Sequence, residues 1–404
     1  MSPPPRPPPP GAPAEPAPTR LIDLGPGLER DREALRAAFD EVLASGSFVL
    51  GPHVERFERE LASFCGVGHA VGVASGSDAL ELALRALGVG PGDAVVTSPF
   101  TFVATAEAIV HAGARPVFAD VEPGAWLIDL EAVDGALSRL PRSPEGCRLL
   151  PGGERVRAIV PVHLFGAVVD AGGLAELASR HGLWVVEDAA QALGGSSAGR
   201  AAGAIGAAGC FSFFPTKTLG ALGDGGAVVT DDERLARELR SLRQHGCVER
   251  GRVGERLGRN SRLDALQAAF LSARLRGLPG ALEERRALRR RYHEALAGLG
   301  PEIAPLGPAE PCAGHAAALM VVRARRRDAL ARHLAARGVG AGVYYERPLH
   351  ACAPYIDAPR LGPLAEAERA ARESLALPLY PGLGPAAAAR VAAEIEAFLR
   401  GGGP

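Results

Sequence analysis

Of the 45 lysine and arginine residues in this chain of 404, all but one are arginine, and the exception is Lys217. Arginine replaces lysine wherever only positive charge or helix propensity is wanted. A guanidinium stays protonated, whereas an ammonium can be desolvated, deprotonated and joined to a carbonyl. Lys217 is therefore a candidate primary amine for covalent work on an aldehyde or ketone, against the plainer alternative of a leftover surface residue. Other residues of chemical interest stand at the ends of apolar runs. Asp188 closes the run in WVVEDAAQA, with Gln191 three residues on. Ser75, Gly76 and Ser77 precede an amphipathic stretch in VGVASGSDALELAL, and Ser212 lies in CFSFF just before the lysine. Phe100 and Phe102 occur in SPFTFVATAEA, and the single asparagine, Asn260, in GRNSRLDALQAA.

These residue types match what pyridoxal phosphate (PLP) asks of a protein: an amine for its aldehyde, an acid for its pyridine nitrogen, donors for its phosphate, a ring against its face and a partner for its phenolic oxygen. Lys217 would carry the cofactor as a Schiff base. Asp188 would keep the pyridine nitrogen protonated, since ligands gather at the carboxyl ends of buried strands, while Glu187 points to the opposite side by the two-residue strand period. Gly76 and Ser77 would offer amides at a helix start, where the macrodipole favours an anion. Ser77 or Asp78 acting only as a helix cap is equally compatible with the local sequence. Ser212 is a second hydroxyl candidate, and Phe102 a candidate stacking ring, although aromatics there also pack in cores. Asn260, just before a helix, could hydrogen-bond an anion.

The elements that must position these groups are legible. Residues 1 to about 20 are proline-rich and are expected to be a disordered leader. From Leu21 onward, helical periods alternate with short apolar runs, which predicts an α/β fold with a mostly parallel sheet. Helices are expected at Asp78 to Leu87, Thr101 to Ala112 and Ala171 to His181, and strands at DAVVTSP, ARPVFAD, VRAIVPVH and GLWVVEDAA. CFSFF and GGAVVT flank PTKTLGALGD, so Lys217 should sit in a hairpin or sheet-edge loop. From Leu263 to Leu299 the pattern is helical with a break or kink at Pro279. ALMVVRA reads as a strand, Asp328 to Arg337 as a helix, and a last helix follows Pro385. The division expected is a large domain with an N-terminal arm over 21–275 and a small α/β domain over 276–404.

A net charge of −1 gives no electrostatic case for nucleic acid or an anionic membrane. No run approaches the roughly 18 apolar residues of a membrane span, and the start of the chain lacks the apolar core of a secretory signal. Cys65, Cys147, Cys210, Cys247, Cys312 and Cys352 include no CxxC pair. They read as reduced thiols of a cytoplasmic protein without a metal site.

Nine segments, in order, resemble the DegT/DnrJ/EryC1/StrS sugar aminotransferase family within the fold-type I PLP-dependent superfamily. They are SGSFVLGPHVERFERELASF, SGSDALELALRALGVGPGDAVV, FTFVATAEAIVHAGARPVFADVEP, PVHLFG, VVEDAAQALG, CFSFFPTKTLGALGDGGAVVTDD, LRQHG, NSRLDALQAA and YYERPLH. The resemblance implies that Lys217 forms the Schiff base, Asp188 pairs with the pyridine nitrogen and Gln191 approaches the phenolic oxygen. It implies that Phe102 stacks on the ring while Gly76, Ser77 and Ser212 hold the phosphate. It also implies that Asn260 reaches the cofactor of a second copy, making a homodimer with shared active sites. The implied reaction takes an amino group from an amino acid, typically glutamate, through pyridoxamine phosphate to a keto group on a nucleotide-linked sugar. A non-nucleotide ketone such as a cyclitol, or a non-catalytic PLP-binding regulator, are the other readings. The chain departs from the family where GRVGERLGR replaces a stretch with tyrosine and histidine, and where Ala317 and Ala318 replace an aromatic and a histidine, with His315 displaced upstream. His163, Arg262, Tyr345 and His350 are the candidates for the substrate.

Overall fold

The structure, a computed structural model, describes residues 18–247, 256–308 and 314–401. Its main sheet runs, edge to edge, through His69–Val73, Gly226–Thr230, Ala208–Ser212, Trp184–Asp188, Arg155–Val160, Asp93–Thr97 and Arg115–Phe118, with the two-residue strand Arg148–Leu149 paired off the path. From Ala208–Ser212 to Arg115–Phe118 the neighbours are parallel, and Gly226–Thr230 is antiparallel to both of its partners. The interior strands are buried on both faces, which is why they read as continuous apolar runs and not as alternations.

Parallel pairing brings the carboxyl ends of successive strands to one edge, so the segments after Val73, Thr97, Val160, Asp188 and Ser212 open together. Helices Gly76–Ala86, Ala104–His111 and Glu233–Leu242 pack on one face through Leu80, Ala108 and Leu239, and helices Pro52–Cys65 and Ala265–Leu275 on the other through Phe57 and Leu271. A separate three-stranded antiparallel sheet, Ile303–Pro305, Met320–Ala324 and Ser374–Leu377, is covered by Leu278–Leu296, Arg327–Ala336 and Pro385–Arg400.

The expected break at Pro279 is a true separation into Ala265–Leu275 and Leu278–Leu296, with the proline in the first turn of the second helix, where its missing N–H costs nothing. The helix beginning there contributes Leu278 and Leu282 to the large core and Leu288, Tyr292 and Leu296 to the small one. Two expectations are corrected. The helix after Phe102 starts at Ala104, because Thr101 and Phe102 stay in the loop that follows the strand. The leader ends before residue 20: Thr19 is buried, donates to Gly338 C=O at 2.8 Å and accepts from Gly340 N–H at 2.8 Å. Residues 1–17, 251–255 and Cys312 lie outside the described ones.

Candidate active site

Lys217 stands on a true hairpin loop, not at a sheet edge, between the antiparallel strands Ala208–Ser212 and Gly226–Thr230. The loop is closed by Phe213 N–H to Gly225 C=O at 2.8 Å and Ala221 N–H to Phe213 C=O at 2.7 Å, and Lys217 N–H donates to Phe214 C=O at 2.8 Å. The side chain lines a cavity of about 520 Å³ at the carboxyl edge of the sheet, shared with Gly76, Ser77, Phe102, Asp188, Gln191 and Ser212. Burial lowers the pKa of its ammonium below the ordinary lysine value, and the Asp188 carboxylate partly opposes this. The amine is thus nearer to its neutral, nucleophilic form than a surface lysine would be.

Asp188 ends its strand with its backbone tied to the neighbouring segment, its N–H to Pro161 C=O and its C=O to His163 N–H, so its direction is set by the sheet. Its Oδ2 accepts from the Thr105 hydroxyl at 2.7 Å and its Oδ1 from Ala190 N–H at 3.2 Å. The hydroxyls of Thr101 and Thr105 are 3.0 Å apart. Since Thr105 spends its one proton on Asp188, Thr101 is the donor in that pair. This buried relay was not read from sequence: Thr101 lies outside the helix that begins at Ala104, so no helical spacing announces its contact with Thr105. Glu187 does face the other way, accepting from Gly203, Ile205 and Gly206 N–H at 2.7 to 2.8 Å.

The cradle between Val73 and the helix is built for close approach. Ser75 is the cap, accepting from Asp78 N–H at 3.1 Å, which settles the capping alternatives and leaves Ser77 for other work. The amides of Gly76 and Ser77, in the first turn, have no intrahelical acceptor. A Cβ on Gly76 would sit 2.6 Å from Ser212 Cβ, and one on Gly226 would sit 2.3 Å from Ser75 C=O. Only glycine lets these three segments meet. Phe100 and Phe102 have separate fates: Phe100 is fully buried against Trp126, Phe165 and Tyr345, whereas Phe102 is 57% exposed and presents its ring to the cavity. Amine, acid, anion cradle and uncovered ring fit the donor set that pyridoxal phosphate requires.

Gln191 is fixed from both ends of its amide. Its Oε1 accepts from Phe165 N–H at 2.8 Å and its Nε2 donates to Tyr345 Oη at 2.9 Å. Tyr345, a candidate for the substrate, forms part of the cavity wall. Two other candidates are corrected. His163 is fully buried: Nδ1 accepts from Val169 N–H, so the ring proton is on Nε2, which faces Glu187 Oε2 at 2.8 Å. That imidazole braces Glu187 and reaches no cavity. His350 is also buried, 3.3 Å from Glu368 Oε1 and away from the cavity wall. The displaced His315 is half-buried, with Nδ1 accepting from Ala317 N–H and its pKa pushed down to about 3, chiefly by desolvation. Ala318 stands at the cavity wall with only a methyl side chain.

Asn260 and Arg262 do not line the cavity of their own chain. Asn260 is exposed, on a segment clamped to the cradle helix: Arg259 pairs with Asp78 at 3.2 Å and with Glu81, and Ser261 Oγ donates to Asp78 at 2.6 Å. Cys210, behind Asp188, has its thiol pKa pushed far up by burial. No group able to hold a metal ion occurs among the described residues.

A model of the DegT/DnrJ/EryC1/StrS aminotransferase family matches residues 29–396. The chain is similar to the dTDP-3-amino-3,4,6-trideoxy-alpha-D-glucose transaminase of Streptomyces venezuelae, 44% identical over 365 residues covering 90% of this chain and 91% of the relative. It is 39% identical over 382 residues to the UDP-N-acetyl-3-dehydro-alpha-D-glucosamine 3-aminotransferase of Acidithiobacillus ferrooxidans, covering 94% and 98%. Among solved structures it is similar to DesV of S. venezuelae in complex with a ketimine intermediate, with a TM-score of 0.87 and 42% identity over 95% of this chain and 99% of that one.

Proposed function

The chain belongs to the DegT/DnrJ/EryC1/StrS aminotransferase family, and from that membership we propose that it moves an amino group from an amino acid, glutamate foremost, to a keto group of a nucleotide-linked sugar. The observation that carries this reading is the placement of Lys217 in one cavity with Asp188, the bare ring of Phe102 and the Gly76–Ser77 helix start. The named activities of the two relatives, a dTDP-sugar transaminase and a UDP-sugar aminotransferase, support the nucleotide-linked acceptor.

When bound, pyridoxal phosphate supplies an electron sink that stabilises negative charge on the carbon losing a proton. Lys217 would hold its aldehyde, and Asp188 its protonated pyridine nitrogen. The amides of Gly76 and Ser77 with the Ser212 hydroxyl would hold its phosphate, Phe102 one face of its ring, and the second N–H of Gln191 its phenolic oxygen. Thr105, backed by Thr101, keeps Asp188 Oδ2 supplied with a hydrogen-bond donor and holds the carboxyl group in place. Lys217 Nζ would serve as the base that takes the proton from the donor's α-carbon and as the acid that returns one; its lowered pKa suits both tasks.

The same reading makes the active unit a homodimer. Asn260 is exposed and outside its own cavity, and Arg262 is half-buried without a charged partner among the described residues. In this reading both would serve a second copy, Asn260 at its phosphate and Arg262 at the sugar's diphosphate, with Tyr345 the substrate contact from within the chain. A cytoplasmic location belongs to the reading as well, and the five described cysteines are all free.

Purified protein mixed with pyridoxal phosphate is expected to gain the absorbance band of lysine-bound cofactor, and glutamate should discharge it. Lys217→Ala should show no band. A wild type without the band, or a variant that keeps it, overturns the assignment of Lys217. Incubation with glutamate and a panel of keto sugar nucleotides should yield an amino product by mass. Products from cyclitol ketones alone would move the acceptor to that class.

A further inference from the structure

Tyr345 has a hydroxyl whose two hydrogen-bonding roles can be separated. Phe165 N–H can only donate, so the atom of Gln191 facing it at 2.8 Å must be the amide oxygen, and the atom facing Tyr345 Oη at 2.9 Å must be the amide nitrogen. An amide nitrogen only donates. Tyr345 Oη is thus the acceptor of that bond, and its own proton must go elsewhere. Among the described residues no protein group accepts it, and Tyr345 forms part of the cavity wall with Lys217. The ring has little freedom to turn away: Phe165 stacks on it at 6.5 Å and 22°, while Phe100 and Tyr344 meet it edge-on at 5.9 Å each. Burial raises the phenol's pKa, so the hydroxyl stays protonated across the working range and acts as a donor, never as a base.

We infer that Tyr345 is a dedicated hydrogen-bond donor, aimed by the Phe165–Gln191 relay at an oxygen of whatever occupies the cavity beside Lys217. That oxygen is either the phenolic oxygen of the cofactor or the keto or hydroxyl oxygen of the acceptor sugar. The inference rests on the reading of Lys217 as the cofactor-bearing amine. It deepens that reading by turning Gln191 from an isolated contact into the middle of a directed chain.

The test is Tyr345→Phe, which keeps the ring and removes only the oxygen. The first measurement is a pH titration of the absorbance band of the reconstituted protein without substrate. A donor to the phenolic oxygen stabilises its negative charge and so lowers the pKa of the lysine-bound nitrogen. Removing it should shift the titration midpoint upward by about one pH unit, the size expected for losing one hydrogen bond to a charged oxygen. The second measurement is steady-state kinetics with the keto sugar. If the oxygen belongs to the acceptor, the midpoint stays put, and KM for the sugar rises or kcat with it falls about tenfold, while discharge by glutamate keeps its wild-type rate. Either pattern supports the donor role and identifies its target. An unshifted midpoint together with unchanged kinetics toward both substrates overturns it. A wild type lacking the band would instead remove the Lys217 reading, a distinct result. Unchanged far-ultraviolet circular dichroism and thermal midpoint verify that the variant is folded. If it is not, the same two readings on Tyr345→Leu, a second variant that lacks the hydroxyl and leaves Gln191 in place, decide between the same outcomes.

Discussion

Asp188 is the residue on which most of the proposed chemistry leans, and it is held by Thr105, which does not line the cavity. Thr105 donates to Oδ2 at 2.7 Å from a fully buried position, and Thr101 backs it at 3.0 Å. Thr105→Val preserves shape but deletes the donor, leaving a buried carboxylate short of one partner and Thr101 without its acceptor. A hydrogen bond to a charged group contributes about 1.5–3 kcal/mol, so kcat is expected to fall roughly 10- to 100-fold. Thr105→Ser should recover most of it. A kcat within twofold of wild type in Thr105→Val would remove the relay from the mechanism. That Lys217 and Asp188 would meet in one cavity was legible because the chemistry proposed for them demands one residue type at one place: a lone amine among arginines, and an acid at a strand's end. His163 and His350 were not, since the fate of an imidazole is decided by partners distant in sequence, here Glu187 and Glu368.

Among elements, the one most sharply constrained is the helix Gly76–Ala86, whose first residue is pressed against Ser212 on the lysine hairpin. A methyl group at Gly76 would lie 2.6 Å from Ser212 Cβ and 3.1 Å from its Cα, so either the helix start or the strand end must move. Overpacking of this kind costs about 1–3 kcal/mol, and here the displaced groups are those proposed for the phosphate. Gly76→Ala should therefore weaken pyridoxal phosphate binding to the apo-protein roughly tenfold or more, read by fluorescence titration. Gly280→Ala, on a helix with nothing within 4 Å, should leave binding as it is. Equal affinities in the two variants would sever the cradle from the cofactor. The strands and most helices were visible as apolar runs and 3.6-residue periods, and Ala171–His181 coincides with its expected span. Periodicity reports which face is buried but not what stands opposite. The contact between Gly76 and Ser212 was therefore beyond it, as were the two-residue strands, too short to carry a period.

At the scale of the whole molecule, apolar side chains are uncovered around one helix. Phe39, Leu43, Phe48, Val49, Leu222 and Leu257 are all exposed. Phe39 and Leu222 border one groove with Phe270 of helix Ala265–Leu275, Phe48 C=O accepts from Ala265 N–H, and Leu257 precedes Asn260 on the segment leading into that helix. A concentration of this sort marks an interaction surface. Sequence alone showed Asn260 as a lone amide, and could not show that it would be exposed beside an apolar face and absent from its own cavity, because that depends on the packing of segments far apart in the chain. If a second copy covers this face and receives Asn260, each active site draws Lys217 from one chain and Asn260 from the other. Lys217→Ala and Asn260→Ala chains should then each be nearly inactive alone. Unfolded together and refolded in equal amounts, half of the dimers would pair the two variants, and each of these holds one intact site of two. Activity should return to about a quarter of wild type, as twofold symmetry requires, measured as amino product formed per milligram of protein. A mixture that stays at the level of the separate variants, while size-exclusion chromatography and tagged pull-down show that mixed dimers have formed, would confine the whole active site to a single chain.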